Sequence, residues 1–352
     1  MVSLVPLLAL PHLEADLARV EQALRRSVQT GDAYLSEVAG HLVPAGGKRL
    51  RPALALCAGQ LSGGPAPDDV VMGACAVELV HLGSLYHDDV MDEARTRRNV
   101  ASVNARWGNL VAILAGDFLL ARASEIAASL GTEVAGLLAT TIGRLCEGQV
   151  QELSQAFDVG RTEEAYLSSI AGKTAALLAT ACRIGGITAG LPRAAIDALT
   201  AYGQRLGMVF QIVDDILDVV ATDEQLGKPA GNDLVEGVYT LPVIKALLAD
   251  HGQSLHGLLG GPVDSEAVAA VRALVQADGA VASAVEVARA YAAEAEADLD
   301  HLVAVLGGGP DAERVAATFA HLGPYLIASV QPTATRQPSG QDRATMAASD
   351  AP

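Results

Sequence analysis

Aromatic side chains are scarce in this chain. One Trp, four Phe and seven Tyr among 352 residues cannot furnish ring-rich, β-branched strands, so an all-β fold is excluded. Basic residues are in deficit too: 24 Lys and Arg stand against 41 Asp and Glu, and a net charge of −17 repels a nucleic-acid backbone. Nucleic acid is therefore not expected as a partner. The four cysteines, Cys57, Cys75, Cys146 and Cys182, are scattered without a CxxC pair. That pattern argues against a disulfide framework or zinc site and for buried thiols in a reducing cytoplasm. The N-terminus lacks a basic n-region and a small-residue cleavage site, so no secretory signal is expected. Nor is a membrane span. The longest stretch free of Asp, Glu, Lys and Arg runs from Val315 to Thr335 and is broken by His321, Gly323, Pro324, Gln331 and Pro332. Strand-length alternation between hairpin turns is missing as well, which leaves a sheet no obvious place.

What the chain has is helical period. Its hydrophobic share of 51% comes mainly from Ala, Leu and Val. Leu13, Leu17, Val20, Leu24 and Val28 recur at steps of three and four with charges between them, which predicts an amphipathic helix. Similar segments follow, separated by breakers at 44–47, 62–67, 131–132, 190–192, 227–231, 260–262 and 307–310. About ten helices are expected, in an all-α fold. The segments from Val70 to Tyr86 and from Ala165 to Ala181 are apolar nearly all round and predict central helices. Residues 1–330 are expected to form the globular unit. Residues 331–352, rich in Pro, Thr, Ser, Gln and Ala without periodicity, should be disordered.

Two acidic clusters stand where a helix gains nothing from them. After an uncharged run from Leu79 to His87 comes Asp88-Asp89-Val90-Met91-Asp92; after another from Leu206 to Val213 comes Asp214-Asp215-Ile216-Leu217-Asp218. Carboxylates at i and i+4 share a face, where like charges cost about 0.2–0.5 kcal/mol. A single such cluster is most simply a solvated helix end. Two with the same spacing suit Mg²⁺, which takes hard oxygen ligands, keeps waters and binds phosphates beside carboxylates. Facing each other, they could grip a Mg²⁺-diphosphate.

Cations follow each cluster: Arg95, Arg97 and Arg98 after the first, Lys228 after the second. A site for a bare cation has no use for guanidinium groups, whereas a metal-bridged diphosphate does. Arg95 alone reads as a surface charge. Farther upstream, Gly46-Gly47 precedes Lys48, Arg49 and Arg51, a loop that lets backbone and cations approach an anion. His81 lies seven residues before Asp88 on the same face; by itself it would be a core histidine. Lys173 is the sole formal charge between Glu164 and Arg183 and must snorkel, pair or meet an anion, with the Thr174 hydroxyl beside it.

Together these pieces resemble the trans-isoprenyl diphosphate synthases, the polyprenyl synthetase family. The matching motifs are GGKRLRP at 46–52, HLGSLYHDDVMDEARTRR at 81–98, GKT at 172–174, FQIVDDILD at 210–218 and GKPAGNDLVEGVYTLP at 227–242. The resemblance implies a single-domain helical bundle around a central cavity, working as a homodimer. It also implies Mg²⁺-dependent condensation of isopentenyl diphosphate with an allylic diphosphate. Asp88, Asp92 and Asp214 would hold the metal, about three ions per site. Arg97, Lys173, Gln211 and Lys228 would hold the allylic diphosphate, and Lys48, Arg51, His81 and Arg98 isopentenyl diphosphate. Lys173, Thr174 and Gln211 would act on the ionising substrate, Thr174 and the Gln211 region stabilising the allylic cation. The chain departs from the family in reading Arg97-Arg98-Asn99-Val100-Ala101 where RRGxP is usual. Asn tolerates positive φ, but the missing Pro should leave this loop less fixed.

The resemblance also places the growing product beside the helix that bears the first cluster, with Ser84 and Gly83 as its floor and Val80 a turn behind. All three are too small to seal a tunnel as a ring would, so a product beyond geranylgeranyl is expected. Close helix packing is the competing explanation of Gly83. A class I terpene cyclase should lack the second aspartate cluster, and a non-catalytic partner subunit should show degenerate clusters. An acidic calcium-binding module should have a ligand loop that the sequence does not contain.

Overall fold

The computed structural model describes residues 4–226, 229–250, 252–277 and 279–330. Helix dominates: among these residues are eighteen α-helices, ten of them ten residues or longer. The first half of the chain forms α1 (Leu13–Ser27), α2 (Ala33–Gly40), α3 (Leu50–Gly59), α4 (Asp68–Met91), α5 (Val103–Trp107), α6 (Asn109–Ser129) and α7 (Thr132–Ser154). Then come α8 (Glu163–Ile170), a π-helical turn over Ala171–Ala175, α9 (Ala176–Thr188) and α10 (Arg193–Val220). Shorter pieces follow: α11 (Asp223–Leu226), α12 (Asn232–Val235), α13 (Leu241–Leu247) and α14 (Gly252–Leu258). The chain then runs through α15 (Ser265–Ala277), α16 (Ala280–Val305), α17 (Pro310–Ala320) and α18 (Leu322–Ala328). The tail expected to be disordered, 331–352, lies outside the described residues.

Local chemistry sets these boundaries. α1 buries Leu13, Val20, Ala23 and Leu24, with Glu14 and Asp16 in its first turn and Arg25 and Arg26 in its last, both favourable to the helix dipole. Pro192 precedes α10, and Gly309 precedes α17 with Pro310 at its first position, where a missing N–H costs nothing. One main core runs from Leu4 to Val330. A smaller one, built on Leu234, Tyr239, Val243 and Val271, gathers α12 to α15 against the end of α10.

α4 and α9 are central, as their all-round apolarity predicts, and α4 is buried from Val70 through Leu82 on almost every side. This corrects the expectation that no segment has the character of a membrane span. By length and composition alone, Asp68–Met91 and Glu163–Thr188 qualify, with mean hydropathies of 1.3 and 1.2. A search for charge-free runs overlooks them because each carries a few charges at functional positions. In the fold, 72% of each apolar stretch is buried against other helices.

A small sheet also appears. Thr96–Arg97 pairs antiparallel with Val100–Ala101, and Arg98 (φ 54°) and Asn99 (φ 64°) form the turn. Two consecutive positive-φ residues make the primed turn whose twist suits a two-residue hairpin. The loop expected to be loose for want of Pro is therefore pinned by strand pairing. It is pinned further by Ser102 Oγ donating to Ala94 O at 2.5 Å and Asn104 Nδ2 to Asp89 O at 2.8 Å.

Gly83 requires a second correction. A Cβ there would stand 3.1 Å from Gly116 O and 3.2 Å from Leu120 Cγ, both on α6. The space over Gly83 is filled by a packed helix, so its small size serves the α4–α6 contact rather than an open floor. Val80 is fully buried, whereas Ser84 is half-exposed and donates its hydroxyl proton to His81 O at 2.9 Å.

Candidate active site

The first aspartate cluster closes α4. Asp92 is the C-cap, its N–H donating to Asp88 O at 2.8 Å. Desolvation pushes Asp88 up to about 6; Asp92 and Asp89 add to the rise, while Lys173 and Arg97 oppose it. Desolvation also raises Asp92, again against Lys173 and Arg97. Asp89 points elsewhere. It is buried and accepts from Arg97 Nε at 2.7 Å and Nη2 at 2.6 Å. Asp88 and Asp92 thus share the attention of Lys173, while Asp89 anchors the hairpin's Arg97.

The second cluster lies in the last two turns of α10. Asp214 is half-exposed, and its charge acts on Lys48, whose amine burial pushes down to about 8. Asp215 is buried and raised to about 7 by burial, against hydrogen bonds from Tyr166 and Gln211. Asp218 turns to the backbone, accepting from Asp233 N at 3.3 Å. Lys48, expected with isopentenyl diphosphate, therefore lies within the electrostatic reach of the second aspartate cluster.

Between the clusters sits the π-helical turn, which carries Lys173 and Thr174. Lys173 Nζ pairs with Glu152 Oε1 of α7 at 2.5 Å. Burial works against its charge, but Glu152, Asp88 and Asp92 together hold its pKa above the usual value. Thr174 Oγ1 donates to Gln211 Oε1 at 2.7 Å, and Gln211 Nε2 donates to Asp215 Oδ1 at 2.7 Å. Tyr166 OH donates to Asp215 Oδ2 at 2.6 Å.

A basic pocket adjoins Asp88. His81 is pushed well below its ordinary value by desolvation and then by Arg51, Arg98, Arg49 and Arg97. Burial lowers Arg51 to about 10, Arg98 lowers it further, and Glu78 and Asp88 oppose. The buried Nε of Arg51 has no hydrogen-bond partner, a donor that a bound anion could satisfy. Arg98 donates to Gly46 O and Leu42 O, and a Cβ on Gly47 would lie 2.7 Å from its Cζ. Gly47 thus admits a guanidinium. Arg49 is committed to structure, pairing with Glu21 and with buried Glu78.

Of the expected site residues, the structure gathers Lys48, Arg51, His81, Asp88, Asp92, Arg97, Arg98, Lys173, Thr174, Gln211 and Asp214 around one region. Lys228 lies outside the described residues. Sequence reasoning missed Glu152, Tyr166 and Glu78. Tyr166 alone left a signal, a phenol in an apolar helix that must find a partner. Among the described residues no three His, Cys, Asp or Glu side chains converge as a ready-made metal site.

Helices presenting two aspartate clusters, a lysine between them and an arginine–histidine pocket alongside define an all-α enzyme of diphosphate chemistry. A family model, polyprenyl synthetase, matches residues 32–277. The chain is 40% identical over 300 residues to nonaprenyl diphosphate synthase of Mycobacterium tuberculosis, covering 84% of this chain and 89% of that one. It is 40% identical over 270 residues to heptaprenyl diphosphate synthase component 2 of Geobacillus stearothermophilus, covering 76% and 84%. It matches the crystal structure of a Caulobacter crescentus polyprenyl synthase complexed with calcium and isoprenyl diphosphate. That match has a TM-score of 0.83 at 33% identity over 92% of this chain and 97% of that one. The chain belongs to the polyprenyl synthetase family. It is a prenyltransferase that elongates an allylic diphosphate with isopentenyl diphosphate.

Proposed function

We propose that the enzyme makes a polyprenyl diphosphate longer than geranylgeranyl, using Mg²⁺ at Asp88, Asp92 and Asp214. The observation that carries the metal reading is the donor set: carboxylates held above their ordinary pKa beside a lysine and arginines, without local benefit to the helix. An ion held by these carboxylates would complete its shell from water and phosphate oxygens, which is the habit of Mg²⁺. About three ions would serve each site, neutralising the departing diphosphate. Lys173 and Arg97 would hold the allylic diphosphate from the protein side, with Lys228 as a further ligand by family resemblance. Thr174 and Gln211 would face the carbon that ionises, and surrounding apolar helices would keep water from quenching the cation.

Arg51, His81 and Arg98 form the pocket for isopentenyl diphosphate, and Lys48, which feels the charge of Asp214, would serve it from the side of the second aspartate cluster. Arg51→Ala is expected to raise KM for isopentenyl diphosphate about tenfold while moving KM for the allylic primer less than about twofold. Equal loss toward both substrates in steady-state assays would show that the partition is wrong.

Product length is supported by Ser84, small and half-exposed on the α4 face before Asp88, and by relatives named for nonaprenyl and heptaprenyl products. Ser84→Phe should shorten the product, because a ring there would stand in the space proposed for the growing chain. Gly83→Phe would instead drive a ring into α6. The decisive assay gives the purified protein Mg²⁺, isopentenyl diphosphate and primers of increasing length, and reads products by mass spectrometry. Products ending at geranylgeranyl or shorter would sink the length proposal, and unchanged products in Ser84→Phe would remove Ser84 from it.

The enzyme is proposed to act as a homodimer in the cytoplasm. Leu110, Ile113 and Leu114 of α6 and Cys146, Val150 and Leu153 of α7 are exposed at helical spacing, which gives two neighbouring helices the apolar outer faces of an interaction surface. A single-chain mass in sedimentation would contradict the dimer, and residence in a membrane or secreted fraction would contradict the location.

A further inference from the structure

We propose that Tyr166 is a positioning residue for prenyl transfer, acting through Asp215 and Gln211 to fix the direction of the Thr174 hydroxyl. The inference rests on the prenyltransferase reading of this site and assigns work to two residues outside the substrate's reach.

The four side chains form one line: Tyr166 to Asp215 at 2.6 Å, Asp215 to Gln211 at 2.7 Å, Gln211 to Thr174 at 2.7 Å. Tyr166, Asp215 and Thr174 are buried, at 1%, 4% and 7% exposure, and Gln211 between them is half-buried, so water cannot readily replace the Tyr166–Asp215 link at the closed end of the line. Each link has a direction. The phenol donates its one proton to Asp215, whose other oxygen is left for Gln211. Asp215 Oδ1 receives the amide nitrogen of Gln211, which leaves the amide oxygen facing Thr174. Thr174 then commits its only proton to Gln211 and offers a substrate lone pairs alone. An acceptor is the right partner for a carbon developing positive charge, whereas a donor would oppose it.

Tyr166 is itself held from behind. Its ring lies 5.5 Å from the Arg161 guanidinium. Arg161 Nη2 donates to Ser169 Oγ at 2.7 Å, and Ser169 Oγ donates to Tyr166 O at 2.9 Å. Without the phenolic O–H, Asp215 Oδ2 becomes a buried acceptor without its donor. The carboxylate then rotates or draws on both amide protons, and Gln211 loses the constraint that decides which end meets Thr174.

The test uses the full chain with Mg²⁺, isopentenyl diphosphate and an allylic primer, comparing Tyr166→Phe, Thr174→Val, their double variant and Thr174→Ser. Tyr166→Phe should lower kcat about tenfold or more, with KM for both diphosphates changed less than about twofold. The double variant should be no slower than the slower single variant, because one chain can be broken only once. Thr174→Ser, which keeps the hydroxyl, should retain most of the rate. Asp215→Asn, which leaves one acceptor oxygen where Tyr166 and Gln211 now use two, should show the same non-additivity with Thr174→Val and stands in if Tyr166→Phe does not fold. Unchanged kcat in Tyr166→Phe, multiplying losses in the double variant, or a loss confined to KM would each overturn the inference. A native chain without turnover would remove the prenyltransferase reading and this inference together; an active one with any of those results removes this inference alone.

Discussion

Asp88→Ala and Asp92→Ala are each expected to lower kcat about a hundredfold or more, while the ligand-free protein melts no lower than the native chain. Both carboxyls lie above their ordinary pKa, Asp88 at about 6 against 3.8, so the fold disfavours their ionised forms. A carboxyl raised on folding contributes stability below its unfolded pKa and loses it as pH climbs through the folded value. Asp88 should therefore cost the ligand-free protein stability between about pH 4 and 6. Asp88→Ala should remove that slope, so its melting temperature gains on the native one across this window and holds the gain above it. Melting curves at several pH values without metal or substrate test this. A variant that melts lower at neutral pH would make the carboxylate structural, and near-native turnover would end its proposed role.

Lys173→Ala should combine a similar loss of turnover, about a hundredfold, with a loss of stability. Its amine neutralises Glu152, whose side chain is 13% exposed, and also faces Asp88 and Asp92. Removing the cation leaves these carboxylates facing one another without it. Lys173 is itself about a third exposed, so the cost is discounted from that of a fully buried pair to roughly 1–2 kcal/mol. Adding Glu152→Gln should return the melting temperature toward the native value without returning turnover. Activity restored along with stability would mean that Lys173 serves the fold and not the diphosphate.

The aspartate clusters were legible because local physics condemned them: like charges at i and i+4 at the ends of apolar segments have no local reason to exist. Lys173 was legible for a similar reason, as a lone charge in an apolar helix. Glu152 and Glu78 were not, since a glutamate on a helix reads as a solvated face until the tertiary fold brings Lys173 or Arg49 to it. Gly83 sent a signal with two readings, because a helix omits a side chain both where a neighbour presses close and where space must stay open. Only the position of α6 distinguishes them. The hairpin at Arg98-Asn99 escaped notice because strands of two residues are too short to alternate. The span-like character of α4 and the Glu163–Thr188 segment was hidden by the few charges that mark them as working helices.

The π-helical turn at Ala171–Ala175 has a consequence for how this site can change over generations. Such a turn holds one residue more than α-helical register requires, so α8 and α9 would stay in phase with each other if one residue of it were lost. Their buried faces, Tyr166 and Ile170 on one side and Leu178 and Cys182 on the other, would keep their neighbours. Lys173 and Thr174, which lie within the turn, would change register against Glu152 and Gln211. A one-codon deletion here is thus a short route from a working synthase to a folded relative without turnover. The architecture would survive it, and the scaffold would be free to take up a different trade.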